Sequence, residues 1–193
     1  AVRNELPGAN CGGCGFAGCD AYAEAVAGGK AAVNLCPVGG EAVAEKLAAA
    51  MGVTAEAQEK MVATVQCRGA SDRCQTRFEY VGPMDCRSAA LAAQGDKACS
   101  YSCLGLGSCE KACPFGAIKV VDRLAVVDED LCRACGACVD ACPRSVLKLM
   151  PVKKAVYRSC SAMERGKIVR DHCTAGCLGC GKCQRSCKFG ALT

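Results

Sequence analysis

At 193 residues the chain has the size of one or two small domains, with 24 lysines and arginines against 19 aspartates and glutamates and a formal charge of +5. Twenty-one cysteines with four phenylalanines, four tyrosines and no tryptophan leave an unusually thin organic core, yet the chain is long for a disulfide-stapled mini-domain. The odd cysteine count and pairs only three residues apart, such as Cys11/Cys14 and Cys132/Cys135, argue against structural bridges, and no apolar run approaches the roughly eighteen residues that span a bilayer.

In chain order, the first block is NCGGCGFAGCDAYAEAVAGGKAAVNLCPVGGEA, with Cys11, Cys14, Cys19 and Cys36. Glycines at 8, 12, 13, 15 and 18 allow tight turns, and DAYAEAVAGG predicts a short helix that returns the chain to Cys36. Residues 41–52, EAVAEKLAAAMG, predict an amphipathic helix stopped at Gly52, with Val43, Leu47 and Met51 on one face. Thr54 is a good helix N-cap, and KMVATVQC after it alternates as a strand delivering Cys67. The segment VKKAVYRSC (152–160) looks similar and delivers Cys160.

CSYSCLGLGSCEKACPFGAI (99–118) aligns with CTAGCLGCGKCQRSCKFGAL (173–192), placing Cys99, Cys103, Cys109 and Cys113 opposite Cys173, Cys177, Cys183 and Cys187. Two copies of one unit are the economical explanation. In the first copy Leu106 stands where the second has Cys180. Between the first copy and the next cysteine motif, AIKVVDRLAVVDED predicts a β-hairpin turning at Asp122–Arg123. Then comes CRACGACVDACP, in which Cys132, Cys135, Cys138 and Cys142 precede Pro143 with the spacing of a bacterial ferredoxin. Zinc needs four ligands in one tetrahedron and gives the middle cysteine of a CxxCxxC run no task; a [4Fe-4S] cubane does.

The predicted fold class is therefore α+β: a small N-terminal helical four-Cys iron–sulfur domain followed by ferredoxin-like (ββ/αβ) modules for paired [4Fe-4S] clusters. The boundaries run 1–41 for the four-Cys domain, 42–66 for a helix and strand connector, 67–98 for a Cys-containing insert, 99–150 for a ferredoxin-like module and 151–193 for a partial second one. By the crossed arrangement of two-cluster ferredoxins, Cys132, Cys135 and Cys138 share a cubane with Cys113, while Cys103 and Cys109 share another with Cys142 and lack one ligand. Cys99 is nearest in sequence, and Cys67, Cys74 and Cys86 are alternatives. Cys177, Cys180 and Cys183 supply three ligands of a further cubane, and Cys187 serves yet another. Cys160, Cys173, Cys67 and Cys86 are the candidates to close these, and Cys74, with no counterpart in the repeat, has the weakest case. His172 stands alone beside Cys173 and reads as a hydrogen-bonding or surface residue. Lys188 replaces the proline of the motif, and a cation there favours the reduced cluster and raises its potential.

Four or five [4Fe-4S] clusters follow. At about −2 each with their thiolates, four turn +5 into about −3 and five into about −5, which removes the basic surface that nucleic acid requires. Cluster assembly contributes folding free energy, and such clusters fit a reducing, anaerobic setting. No catalytic triad, paired-carboxylate pocket, P-loop or dinucleotide fingerprint stands out, so the chain is expected to move electrons rather than convert an organic substrate.

The CGGCGFAGC…CPVGGEA block, the CSYSCLGLGSCEKACPFGAI block and CRACGACVDACP, in this order, resemble the iron–sulfur B subunit of the Rnf electron-transport complex in its longer clostridial-type form. The resemblance covers essentially the whole chain. It implies a translocase subunit that relays single electrons between soluble ferredoxin and the other subunits of a membrane-bound, ion-pumping NAD oxidoreductase complex, located at the cell membrane on its cytoplasmic side. It also implies membrane association through an N-terminal helix that AVRNELPG does not contain; with the end at FGALT directly after a cysteine motif, the sequence reads as an internal fragment, itself soluble. A soluble polyferredoxin carrier, or the iron–sulfur subunit of another anaerobic redox enzyme, is the alternative.

Overall fold

The computed structural model describes residues 2–56, 59–153 and 156–190. It separates into two compact units: residues 1–62 with 133–137 and 149–153, and residues 63–132 with 138–148 and 154–193. Short helices and two small two-stranded sheets give the mixed α+β content that the sequence predicts.

In the first unit a 3-10 turn at Val2–Glu5 leads to α1 (Cys19–Ala27) and α2 (Gly40–Met51). Leu6, Tyr22, Ala23, Val26 and Leu47 are buried together with Cys19 and Cys36, so two of the sulfurs are themselves core residues. Val43 and Met51 pack against this cluster from the predicted face of α2, and Gly52 ends the helix in the left-handed region at φ 67°. Residues 53–56, which include the N-cap expected at Thr54, form no helix.

In the second unit β2 and β3 (β1 is Met61–Val65) are Ile118–Val121 and Leu124–Val127, an antiparallel hairpin with Val120 opposite Ala125 and Val121 opposite Leu124. Its two-residue turn has Asp122 at φ 48° and Arg123 at φ 59°, both positive as a type I′ turn requires. Neither residue is glycine. Arg123 offsets this strain through two bonds to Asp96, at 2.5 and 2.9 Å, and a third to Leu104 O at 3.1 Å. Lys97, only 1% exposed, donates to Gly69 O at 2.6 Å and Arg123 O at 2.8 Å, so its charge is held by carbonyls rather than left bare.

The remaining elements are single turns: α3 (Cys86–Leu91), α4 (Ser108–Ala112), α5 (Ala137–Asp140), α6 (Lys167–His172) and α7 (Lys182–Ser186). β4 (Leu147–Pro151) pairs with β1. The strand expected over 152–160 is not found. Val152 and Lys153 form a turn, residues 154 and 155 lie outside the described residues, and 156–160 is irregular; the strand partner of β1 lies one segment earlier, and the bonding runs one residue past Pro151, with Val152 N–H donating to Lys60 O at 2.9 Å. Among the described residues no helix is long and apolar enough to cross a membrane.

Candidate iron–sulfur ligand sets

No disulfide joins any of the 21 cysteines. Among the described residues no three His, Cys, Asp or Glu side chains converge on one point as a single metal ion requires. A cubane makes a different demand, one thiolate at each of four corners.

In the first unit the Asn10 side chain accepts the Cys19 N–H at 2.8 Å and starts α1, so the cysteine sits at the helix N-terminus. The Tyr22 hydroxyl donates to Ala32 O at 2.8 Å and accepts Leu35 N–H at 3.1 Å, which fixes the loop returning Cys36. Cys36 Sγ accepts Gly39 N–H at 3.4 Å. Burial pushes the Cys36 thiol above its usual pKa, and the nearby Cys14 and Cys19 push it further. Gly13 permits a close approach: a Cβ there would meet Pro37 Cγ at 2.9 Å and the Cα and O of Cys135 at 3.1 Å.

In the second unit one pocket is lined by Cys86, Cys103, Cys109 and Cys142. The structure thus brings Cys86, not Cys99, to the thiols of the first repeat copy. Asp85 caps α3, accepting Ser88 N–H at 2.8 Å, and its other oxygen accepts the Ser108 hydroxyl at 2.8 Å. That hydroxyl accepts Cys86 N–H at 2.7 Å, so this small network pins Cys86 to the start of α4, which carries Cys109. The Ser88 and Ser108 donors hold the Asp85 carboxyl below its usual range. Sequence reasoning missed Asp85 and Ser108; Asp85-x-x-Ser88 is a capping pattern, but nothing in it announces a partner 23 residues away. Burial pushes the Cys109 thiol to about 12, with Cys103, Cys86, Cys142 and Cys138 adding to the effect. The Cys109 thiol therefore keeps its proton near neutral pH, and a bound metal would draw it off.

Of the other expected ligands, Cys132 Sγ accepts Ala63 N–H at 3.4 Å and Cys160 Sγ accepts Cys177 N–H at 3.4 Å, which sets Cys160 against the second repeat copy. Cys180 and Cys183 on that copy are exposed. Cys67, Cys99 and Cys173 line one further pocket, and Cys74, the weakest candidate by sequence, is buried beside them. His172 lines the same pocket, and its Nδ1 is buried without a hydrogen-bond partner. Backbone N–H groups aimed at sulfur, a thiol-rich donor set and this orphaned nitrogen all fit iron–sulfur occupancy.

Residues 6–38 match a family model described as "Putative Fe-S cluster", and residues 125–148 match one described as a 4Fe-4S binding domain. The chain is 44% identical over 192 residues to the B subunit of the ion-translocating oxidoreductase complex of Methanosarcina acetivorans, covering 99% of this chain and 73% of that protein. The chain belongs to the family of Rnf complex B subunits. Two other members of this Rnf family are similar over most of the chain. One is the B subunit of the Na(+)-translocating ferredoxin:NAD(+) oxidoreductase complex of Acetobacterium woodii, 48% identical over 193 residues. The other is the B subunit of the proton-translocating ferredoxin:NAD(+) oxidoreductase complex of Clostridium ljungdahlii, 46% identical over 178 residues. The chain spans 58% and 63% of the length of these two. These matches support iron–sulfur clusters in the chain, of the 4Fe-4S type over residues 125–148.

Proposed function

We propose that this chain relays single electrons between soluble ferredoxin and the other subunits of a membrane-bound ion-translocating ferredoxin:NAD oxidoreductase complex, on the cytoplasmic side of the membrane. When bound, [4Fe-4S] clusters supply one-electron chemistry. Cys11, Cys14, Cys19 and Cys36 would hold one; Cys113, Cys132, Cys135 and Cys138 a second; Cys86, Cys103, Cys109 and Cys142 a third; and Cys160, Cys177, Cys180 and Cys183 a fourth. The second set rests on the ferredoxin spacing alone. The chain's own part is to bury the thiols, exclude water and direct N–H groups at sulfur, which stabilises added negative charge.

The observation that carries the reading is the Cys86 pocket. The motif has Leu106 in place of its middle cysteine, and Cys86 of α3 lining one pocket with Cys103, Cys109 and Cys142 supports reading the first copy as a complete site rather than a decayed one. The test is anaerobic reduction of the purified chain by dithionite and by reduced ferredoxin, followed by EPR, with affinity purification from membranes. Reduced-cluster signals obtained with ferredoxin, together with flavin-containing membrane partners, support the relay. A chain recovered alone that ferredoxin does not reduce would falsify it.

A further inference from the structure

We infer that Cys67, Cys74, Cys99 and Cys173 form one more [4Fe-4S] site, assembled from three extended segments that lie side by side. This deepens the relay reading and rests on it. Cys74 is bridged to Cys173 in the antiparallel sense, with Gln75 N–H donating to His172 O and Thr174 N–H to Arg73 O, both at 2.9 Å. On its other flank the same segment meets 96–98: Thr76 is bridged to Lys97, Ala98 N–H donates to Gln75 O at 2.7 Å and Arg77 N–H to Asp96 O at 2.7 Å. That register continues to place Cys74 opposite Cys99. Residues directly opposite in antiparallel segments project to one face, so Cys173, Cys74 and Cys99 stand in a row.

The fourth thiol comes from the loop after β1. Cys67 Sγ accepts Gly69 N–H at 3.3 Å and Cys103 N–H at 3.4 Å. Gly69 then shows where the set converges. Its φ is not in the left-handed region, so it is needed for space: a Cβ would lie 3.0 Å from Cys74 Cβ, 3.5 Å from Cys173 Sγ and 3.6 Å from Cys67 Sγ. Lys97 holds the Gly69 carbonyl at 2.6 Å, keeping the loop clear of the cradle. His172 lines the same pocket, and its buried Nδ1 has no hydrogen-bond partner in the protein. Cys160 lines the same pocket, and because its sulfur accepts the N–H of Cys177, the first thiol of the CxxCxxC run in the second copy, it is counted with that copy. With this set, twenty of the 21 cysteines fall into five fours, and Cys187 stands at the repeat position of Cys113.

The experiment is iron, acid-labile sulfide and zinc analysis of the anaerobically purified full chain and its Cys74→Ala variant. Wild type is expected to hold about twenty irons and twenty sulfides without zinc, and the variant to lose about four of each while the EPR signals of the other clusters persist. An unchanged iron count in the variant, or one zinc per chain lost with Cys74, overturns the site and leaves the relay standing. A wild type without iron overturns the relay itself. If the variant does not fold, alkylation of the wild-type holoprotein decides: Cys67, Cys99 and Cys173 should react with iodoacetamide only after iron chelation, and their modification beforehand excludes the site.

Discussion

The two copies of the repeat share a backbone and differ in where they find their thiols. Gly105, Gly107 and Gly116 have φ of 67, 81 and 64°, and Gly179, Gly181 and Gly190 have 65, 68 and 61°. Cys113 and Cys187 each end a single-turn helix in the same extended conformation, near φ −83°, ψ 109° and φ −78°, ψ 108°. Yet Leu106 is 7% exposed and packs with Cys86, Ala89 and Leu104, whereas its counterpart Cys180 is exposed. Local sequence sets the turns of each copy. What meets those turns is a tertiary matter: Cys86 of α3 lines a pocket with the thiols of the first copy, and Cys160 Sγ accepts Cys177 N–H in the second.

The sharpest way to break this contrast is Cys86→Ala. It should remove about four irons from the chain. Leu106→Cys in the same background writes the missing middle cysteine of the motif back and should restore them, as iron analysis and EPR will read. A double variant as depleted as the single one would show that Leu106 does not occupy the position of Cys180, and the comparison would fail.

Next in size is the anchor of the first copy's hairpin. Arg123 ties the hairpin turn to Asp96 and to Leu104 O beside Cys103. Asp96 is buried while Arg123 is one-third exposed, so Arg123→Ala leaves a buried carboxylate with reduced compensation, a cost of about 3 kcal/mol by urea unfolding. The Arg123 guanidinium holds the Asp96 carboxyl below its usual range. Because that folded-state pKa is depressed, its contribution is complete above about pH 4 and fades as pH falls through the lowered value. Wild type and Arg123→Ala should therefore converge in acid, and parallel curves would contradict the assignment.

Glycine swaps probe the shared backbone more gently. A Cβ on Gly105 would lie 2.2 Å from Arg123 O, backbone that can yield only by shifting the hairpin, whereas a Cβ on Gly179 meets the flexible Arg165 side chain at 3.1 Å. Both alanines incur the left-handed penalty of about 1 kcal/mol, and Gly105→Ala should cost at least about 2 kcal/mol more than Gly179→Ala. Equal losses would mean that the copies are packed alike.

These differences explain how far the sequence could be read. The hairpin, β1, α1 and α2 were visible because alternation or helical period runs through each for several residues. The single-turn helices α3 to α7 are too short to establish a period, and β4 (Leu147–Pro151) was not expected, the strand being read in the stretch after it, 152–160. The motif cysteines announced themselves by spacing. Cys86 and Cys74 did not, since Cys86 is placed by Asp85 and Ser108 and Cys74 by its bridge to Cys173, contacts that no local pattern encodes.

The smallest expected effect lies where the copies differ in charge, Pro114 in the first against Lys188 in the second. A cation beside a cluster stabilises its reduced form, so Lys188→Pro should lower the potential of the cluster proposed at Cys160, Cys177, Cys180 and Cys183 in an EPR-monitored titration, and Pro114→Lys should raise that of the cluster proposed at Cys113, Cys132, Cys135 and Cys138. Lys188 is exposed, so the shift is screened. It should shrink as salt rises toward about 1 M, where the screening length falls to about 3 Å. A shift that survives high salt would belong to the proline's restraint on the backbone, and coincident potentials at low salt would remove any role for the charge.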